Sequence, residues 1–201
     1  MTYLITAIIP FLVCASFNGL YSQNIAPDFP NPKIQITTAL HAAPAEKKDG
    51  AKVYGYAANG EMILLRKGNN DFVCVADDPQ KENIHSACYV DKLEPFMTRG
   101  RELAKAGKSP KERFEIREEE VKSGELMMPT APSPLFVFDA EQDQYDPTTG
   151  NVKEGRLRYV IYISFATAES TGLPTSPSVP GMPWIMDPGT HRAHIMITPP
   201  K

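Results

Sequence analysis

Charge is absent from the start of the chain: between Met1 and Ser22 there is no Lys, Arg, Asp or Glu. The apolar run "LITAIIPFLVCA" in that stretch has the length of a signal-peptide core and is followed by small and polar residues, so residues 1–22 read as an export signal cleaved after Ser22. The run falls short of the roughly 20 apolar residues a membrane helix needs, and Pro10 interrupts it. A lipid anchor on Cys14 is the competing reading, but the residue before a lipidated cysteine is normally small and here it is Val13.

Other absences narrow the classes further. Beyond the signal no stretch is long and apolar enough for a membrane helix, and no repeat of solenoid length is visible. A surplus of positive charge is missing as well: the formal net charge is −3 and all of it lies beyond residue 22, which argues against nucleic acid or anionic lipid as partners. The chain contains no G-x-S-x-G elbow, no Walker loop, no H-E-x-x-H and no G-x-G-x-x-G. No cofactor is therefore expected.

Cysteine is scarce. Of the three, Cys14 leaves with the signal, so Cys74 and Cys88 remain as a pair in a chain bound for an oxidising compartment, and a disulfide is the natural assignment. Closing a loop of that length stabilises by about 3 kcal/mol in the chain-entropy model. A metal or redox site built on "HSAC", with His85 three residues before Cys88, is the weaker reading because no C-x-x-C accompanies it.

What is present organises the rest. Residues 23–51 are rich in proline and small residues and read as an extended arm ending in a charged linker, with His41 solvated. Residues 52–201 read as a single α+β domain, of a size that buries a sizeable core. "KVYGYA", "EMILLRK" and "DFVCVAD", divided by Asn59-Gly60 and by "GNN", predict an antiparallel meander, with "DDPQKENIHSA" a polar loop. A helix is expected from Asp91, with Asp91 and Glu94 as a capping box and Gly107 as its stop. A second, surface helix runs from Ser109, boxed by Glu112, to Gly124, with Glu118 to Glu120 on a solvated face. "LFVFDA", "LRYVIYISFA" and "AHIMIT" read as strands. The expected architecture is an antiparallel sheet of five or six strands with the helical hairpin from Asp91 to Ser123 packed against it. Between the last strands, Glu141, Asp143 and Asp146 lack calcium-loop spacing and read as a solvated turn. Pro174, Pro177, Pro180 and Pro183 recur with the period of polyproline II, which makes a semi-rigid loop.

Taken together, "GNNDFVCVADD", a second cysteine after a polar loop, a helical hairpin, an apolar "VIYIS" strand and a terminal "GTHRAHIMI" resemble a loosely defined group of exported bacterial proteins of unknown function. The likeness spans about Val53 to Thr198. It implies export and an α+β fold, and brings no activity, cofactor or site residue with it.

The candidate site lies in "GMPWIMDPGTHRAHIMITPPK". Trp184 on a proline-stiffened loop, with Asp187, His191 and His194 around an Asp-Pro-Gly turn, could wall a pocket for a ligand. His191 is expected at its rim and His194 just inside. Two histidines three apart across a strand start do not share the helical spacing that aims two imidazoles at one metal, so no bound metal is expected. The functional expectation is a non-enzymatic, periplasmic or secreted protein that binds a small molecule or an envelope protein. A metal-assisted hydrolase using His191, His194 and Asp187 is the alternative.

Overall fold

The computed structural model describes residues 29–200, and the signal assigned to residues 1–22 lies outside them. One mixed sheet of eight strands forms the spine: β1 (Lys52–Tyr56), β2 (Met62–Arg66), β3 (Phe72–Val75), β4 (Ile84–Val90), β5 (Ser133–Ala140), β6 (Arg156–Tyr162), β7 (Trp184–Met186) and β8 (His194–Ile197). Their order across the sheet is β2-β1-β3-β4-β5-β6-β8-β7. The fold is α+β, but the sheet is larger than the five or six strands expected and not wholly antiparallel.

The departure from a meander sits at β1–β3, which pair in parallel. The segment after β2 does not turn back on β2. It crosses the start of β1, where Asn69 and Asn70 donate their N–H groups to the Gly50 carbonyl at 2.8 and 3.2 Å. Gly68 permits the crossing, since a Cβ there would stand 2.5 Å from the Lys52 nitrogen. The strand β7 was also unforeseen: its three residues pair with β8, with Ile185 opposite Ile195.

Cys74 and Cys88 face each other in register on β3 and β4. They form the expected disulfide, and both are fully buried in a core with Val53, Phe72 and Phe138. The loop "DDPQKENIHSA" is shorter than expected, because β4 begins at Ile84 and carries His85 to Ala87. Strand alternation puts His85 on the face opposite Cys88, which rules out a joint site. Thiol titration of protein lacking residues 1–22, denatured without reductant, should return no free thiol.

The extended arm is corrected. Residues 32–39 form helix α1 (Pro32–Ala39), started by Pro32 and by Asn31, whose side chain accepts the Ile34 N–H. The β-branched residues favour strand locally, but tertiary bonding prevails. The buried Gln35 amide donates to the carbonyls of Pro30 and Tyr56 and accepts the Tyr56 N–H, all within 2.8 Å. His41 is not a solvated linker residue either. Its ring stacks on Phe138 at 5.0 Å, its Nε2 lies 3.2 Å from the Gly150 carbonyl, and burial lowers its pKa.

Phe138 is in turn wedged against Gly155, where a Cβ would fall 2.1 Å from the ring. With His41 stacked on the same ring, the phenyl has little room to yield. Gly155→Ala should therefore cost about 1–3 kcal/mol, the usual penalty for overpacking, read as a lower melting temperature.

The opposite sheet face holds Val73, Tyr89, Leu135, Val137 and Val160. Helices α2 (Glu94–Lys105) and α3 (Pro110–Ser123) belong to this side, with Leu93 and Met97 in the same cluster. For α3 the sequence signals act as read: Ser109 and Glu112 make a reciprocal capping box, and Gly124 ends the helix at φ 83°. For α2 they do not. Residues 91–93 form a 3₁₀ turn, and Glu94 accepts instead from the Tyr89 hydroxyl at 2.6 Å and from Arg101 at 2.8 Å. The acidic run on α3 is likewise not merely solvated, because Glu120 takes a two-pronged bond from Arg99 across the hairpin.

Candidate functional site

The four residues singled out near the C-terminus do not converge on one site: Asp187 and His191 are tied into internal bonds, while His194 and Trp184 serve other partners. Asp187 occupies the left-handed region at φ 50°. Its carboxylate accepts from the Arg192 Nε at 2.7 Å, which bends the "DPGTHR" segment back on itself. His191 is completely buried, not at a rim. Its Nδ1–H and its backbone N–H both donate to one oxygen of Glu118 on α3. Rings of Phe96 and Phe114 lie 5.6 and 4.9 Å from the imidazole.

The electrostatics around His191 favour neutral histidine. Burial lowers the His191 pKa, and Arg117 and Arg192 add to that, so the pull of Glu118 in the other direction is outweighed. Burial alone would raise Glu118, but Lys122 and the His191 donors prevail and hold it at about 2. The Nε2 of His191 is buried without a partner among the described residues.

His194 turns elsewhere: its Nδ1–H donates to the Arg192 carbonyl at 2.7 Å and its ring sits 5.3 Å from Tyr162. The two imidazoles therefore serve different partners. Trp184 is half-buried and paired in register with Met196. Among the described residues no group of three or more His, Cys, Asp or Glu is arranged to hold a metal ion.

A groove of about 1040 Å³ lies at the other end of the sheet, where β4, β5 and β6 meet the Glu141 and Lys153 loops. None of Trp184, Asp187, His191 or His194 lines it. Its floor is a network that crosses three strands. His85 on β4 stands in register with Asp139 on β5, which is in register with Arg156 on β6. The Asp139 carboxylate accepts the His85 Nδ1–H at 2.8 Å on one oxygen. The Arg158 guanidinium grips it from the other side, at 2.7 and 3.0 Å. Burial works to raise the Asp139 pKa, but the Arg158 and His85 donors outweigh it and hold the carboxyl below its usual range, so it is ionised at neutral pH. The backbone of His85 is fixed as well, its N–H donating to Asp77 at 2.8 Å.

An ionised Asp139 can only accept, so the neutral imidazole of His85 carries its proton on Nδ1. Nε2 of that tautomer offers a lone pair, on a side chain 58 % exposed. A smaller cavity of about 190 Å³, sharing Ile84 with the groove, is lined by Asp77, Tyr145, Gln35 and Thr38. The acidic turn beside the groove is self-contained: Asp146 accepts from Thr148 and Thr149, which lowers its pKa to about 2.

Sequence reading passed over Asp139, Arg156 and Arg158. A signal was there, since charged residues at alternate positions of otherwise apolar strands place charge on one sheet face. The class these features define is an α+β domain with a mixed eight-stranded sheet, a buried disulfide and a polar groove at one sheet end. Comparison with protein-family models, with curated proteins and with solved structures finds no match to this chain.

Proposed function

We propose that this protein is an exported domain that binds a small polar molecule in the groove above His85, Asp139 and Arg158. The observation that carries this reading is the groove itself, whose size suits a small ligand and whose floor is a set of polar groups held in fixed geometry. The region around Trp184 offers no comparable support, because His191 and His194 are spent on internal bonds. The alternative, a metal-assisted hydrolase based on His191, His194 and Asp187, draws less support, because the two imidazoles bond to different partners.

Export to a periplasmic or extracellular location, and kinship with the exported proteins the sequence resembles, belong to the same proposal. A buried disulfide suits an oxidising compartment, and no helix of the described residues is long and apolar enough to cross a membrane.

Titrating ¹⁵N-labelled protein with a panel of amino acids, sugars, carboxylates and amines tests the binding reading. A saturable ligand should shift the amides of His85, Asp139 and Arg156 and leave those of Trp184 and His191 in place. Shifts confined to the Trp184 region would return the site to the C-terminal stretch. Elemental analysis of protein purified without chelator should find no stoichiometric zinc; zinc lost in His191→Ala and His194→Ala variants would restore the hydrolase.

A further inference from the structure

We infer that His85 is a general base and that the groove hydrolyses a carboxylic ester. This goes beyond binding, and it rests on the groove being a ligand site. An exposed imidazole on a sheet is ordinarily free to rotate. Here three contacts restrain it: Asp139 holds Nδ1, Arg158 holds Asp139, and Asp77 holds the backbone N–H. That is the arrangement in which a third group orients a catalytic base. Its product is an Nε2 lone pair of restrained position in the groove that His85 lines.

The lining decides the reaction further. It contains no Ser, Thr or Cys, and its one hydroxyl, on Tyr159, belongs to the sheet face opposite Arg158 by strand alternation, so the nucleophile is water. The lining also carries more carboxylates, Glu82, Asp139, Glu141, Asp143 and Glu154, than cations, Lys153, Arg156 and Arg158. Such a field repels an anionic phosphodiester and suits an uncharged carbonyl centre. In the step itself, Nε2 takes a proton from water as the water oxygen bonds to the acyl carbon, and the carbonyl electron pair moves onto its oxygen. Collapse of the tetrahedral species breaks the bond to the alkoxy oxygen, which takes the proton back from the imidazolium, giving acid and alcohol. Arg156 stands two strands from His85, about 10 Å by backbone spacing, a distance its long side chain can span to meet the developing oxyanion.

The test uses the full chain purified as it folds, with p-nitrophenyl acetate as probe. Hydrolysis should exceed the background of free imidazole, proceed without a burst of p-nitrophenol, and fall about 100-fold or more in His85→Gln, the lower range for a general base. Asp139→Asn, a positioning change, should lower kcat with little effect on KM. His191→Phe should leave the rate unchanged. In the parent protein, ¹⁵N imidazole shifts should report His85 as protonated on Nδ1 and bare on Nε2, which keeps the inference testable if His85→Gln fails to fold. Equal rates for His85→Gln and parent, a stoichiometric burst, or the opposite tautomer would each overturn it. If the rates are equal while groove amides still respond to a ligand, binding stands and the general base falls.

Discussion

Replacing both Cys74 and Cys88 by alanine should cost about 3 kcal/mol, which for a domain of this size lowers the melting temperature by roughly 6–12 °C. The bond closes a 14-residue separation between neighbouring strands, so most of its effect comes from the unfolded chain, which loses freedom when the loop is closed. Loss of packing adds to the cost, because both residues are fully buried beside Val53 and Phe138. Calorimetry of the double variant against the oxidised parent measures it. A shift under about 2 °C would mean that sheet pairing alone fixes these strands in the unfolded ensemble.

The second large effect is expected from acid. Burial lowers the pKa of His41, His191 and His194 in the folded protein, whereas in the unfolded chain each titrates near 6.5. The unfolded state therefore binds more protons as pH falls through that value, and the folded state loses stability in the same window. The stability that neutral histidines confer is complete above about pH 7 and declines below 6.5 until the folded groups themselves protonate. Each histidine contributes at most about 1.4 kcal/mol per pH unit, so three together give a limiting slope near 4. Urea unfolding at pH 7.5, 6.5, 5.5 and 5.0 reads the slope directly, and a flat profile would refute it.

His191→Phe separates one contribution. It keeps an aromatic ring between Phe96 and Phe114 but removes a hydrogen bond to a charged acceptor, at a cost of about 1.5–3 kcal/mol at neutral pH. The acid slope should fall by about one third, since one of three titrating rings is gone.

How much could be read in advance follows from the range of the interactions involved. The α3 caps, Ser109 with Glu112 and then Gly124, act within a few residues and were legible. So was the disulfide, which two remaining cysteines dictate. The pairing of β3 with β1 was not, because it is decided by a backbone crossing at Gly68 that no local period records. The helix at Pro32–Ala39 was missed for a similar reason: Gln35 bonds to Tyr56, 21 residues on, and that contact outweighs local strand preference. At the C-terminal stretch the residues attracted notice for their chemistry, yet the partner of His191 is Glu118, 73 residues away. The groove network was hidden the same way, since His85 and Asp139 are 54 positions apart.

The two borders of the sheet are guarded unequally. β7 is only three residues long and lies against a proline-rich segment, with little ribbon left to extend. β2 is longer and leaves Ile63 and Leu64 well exposed, yet it is free of proline. Its protection is a bulge at Leu65, where the register with β1 slips by one residue, together with the charges of Glu61, Arg66 and Lys67. Twisting and charging an edge in this way discourages another strand from docking on it. Straightening that bulge would remove one of these guards and leave Ile63 and Leu64 on a flatter edge, open to pairing with another strand.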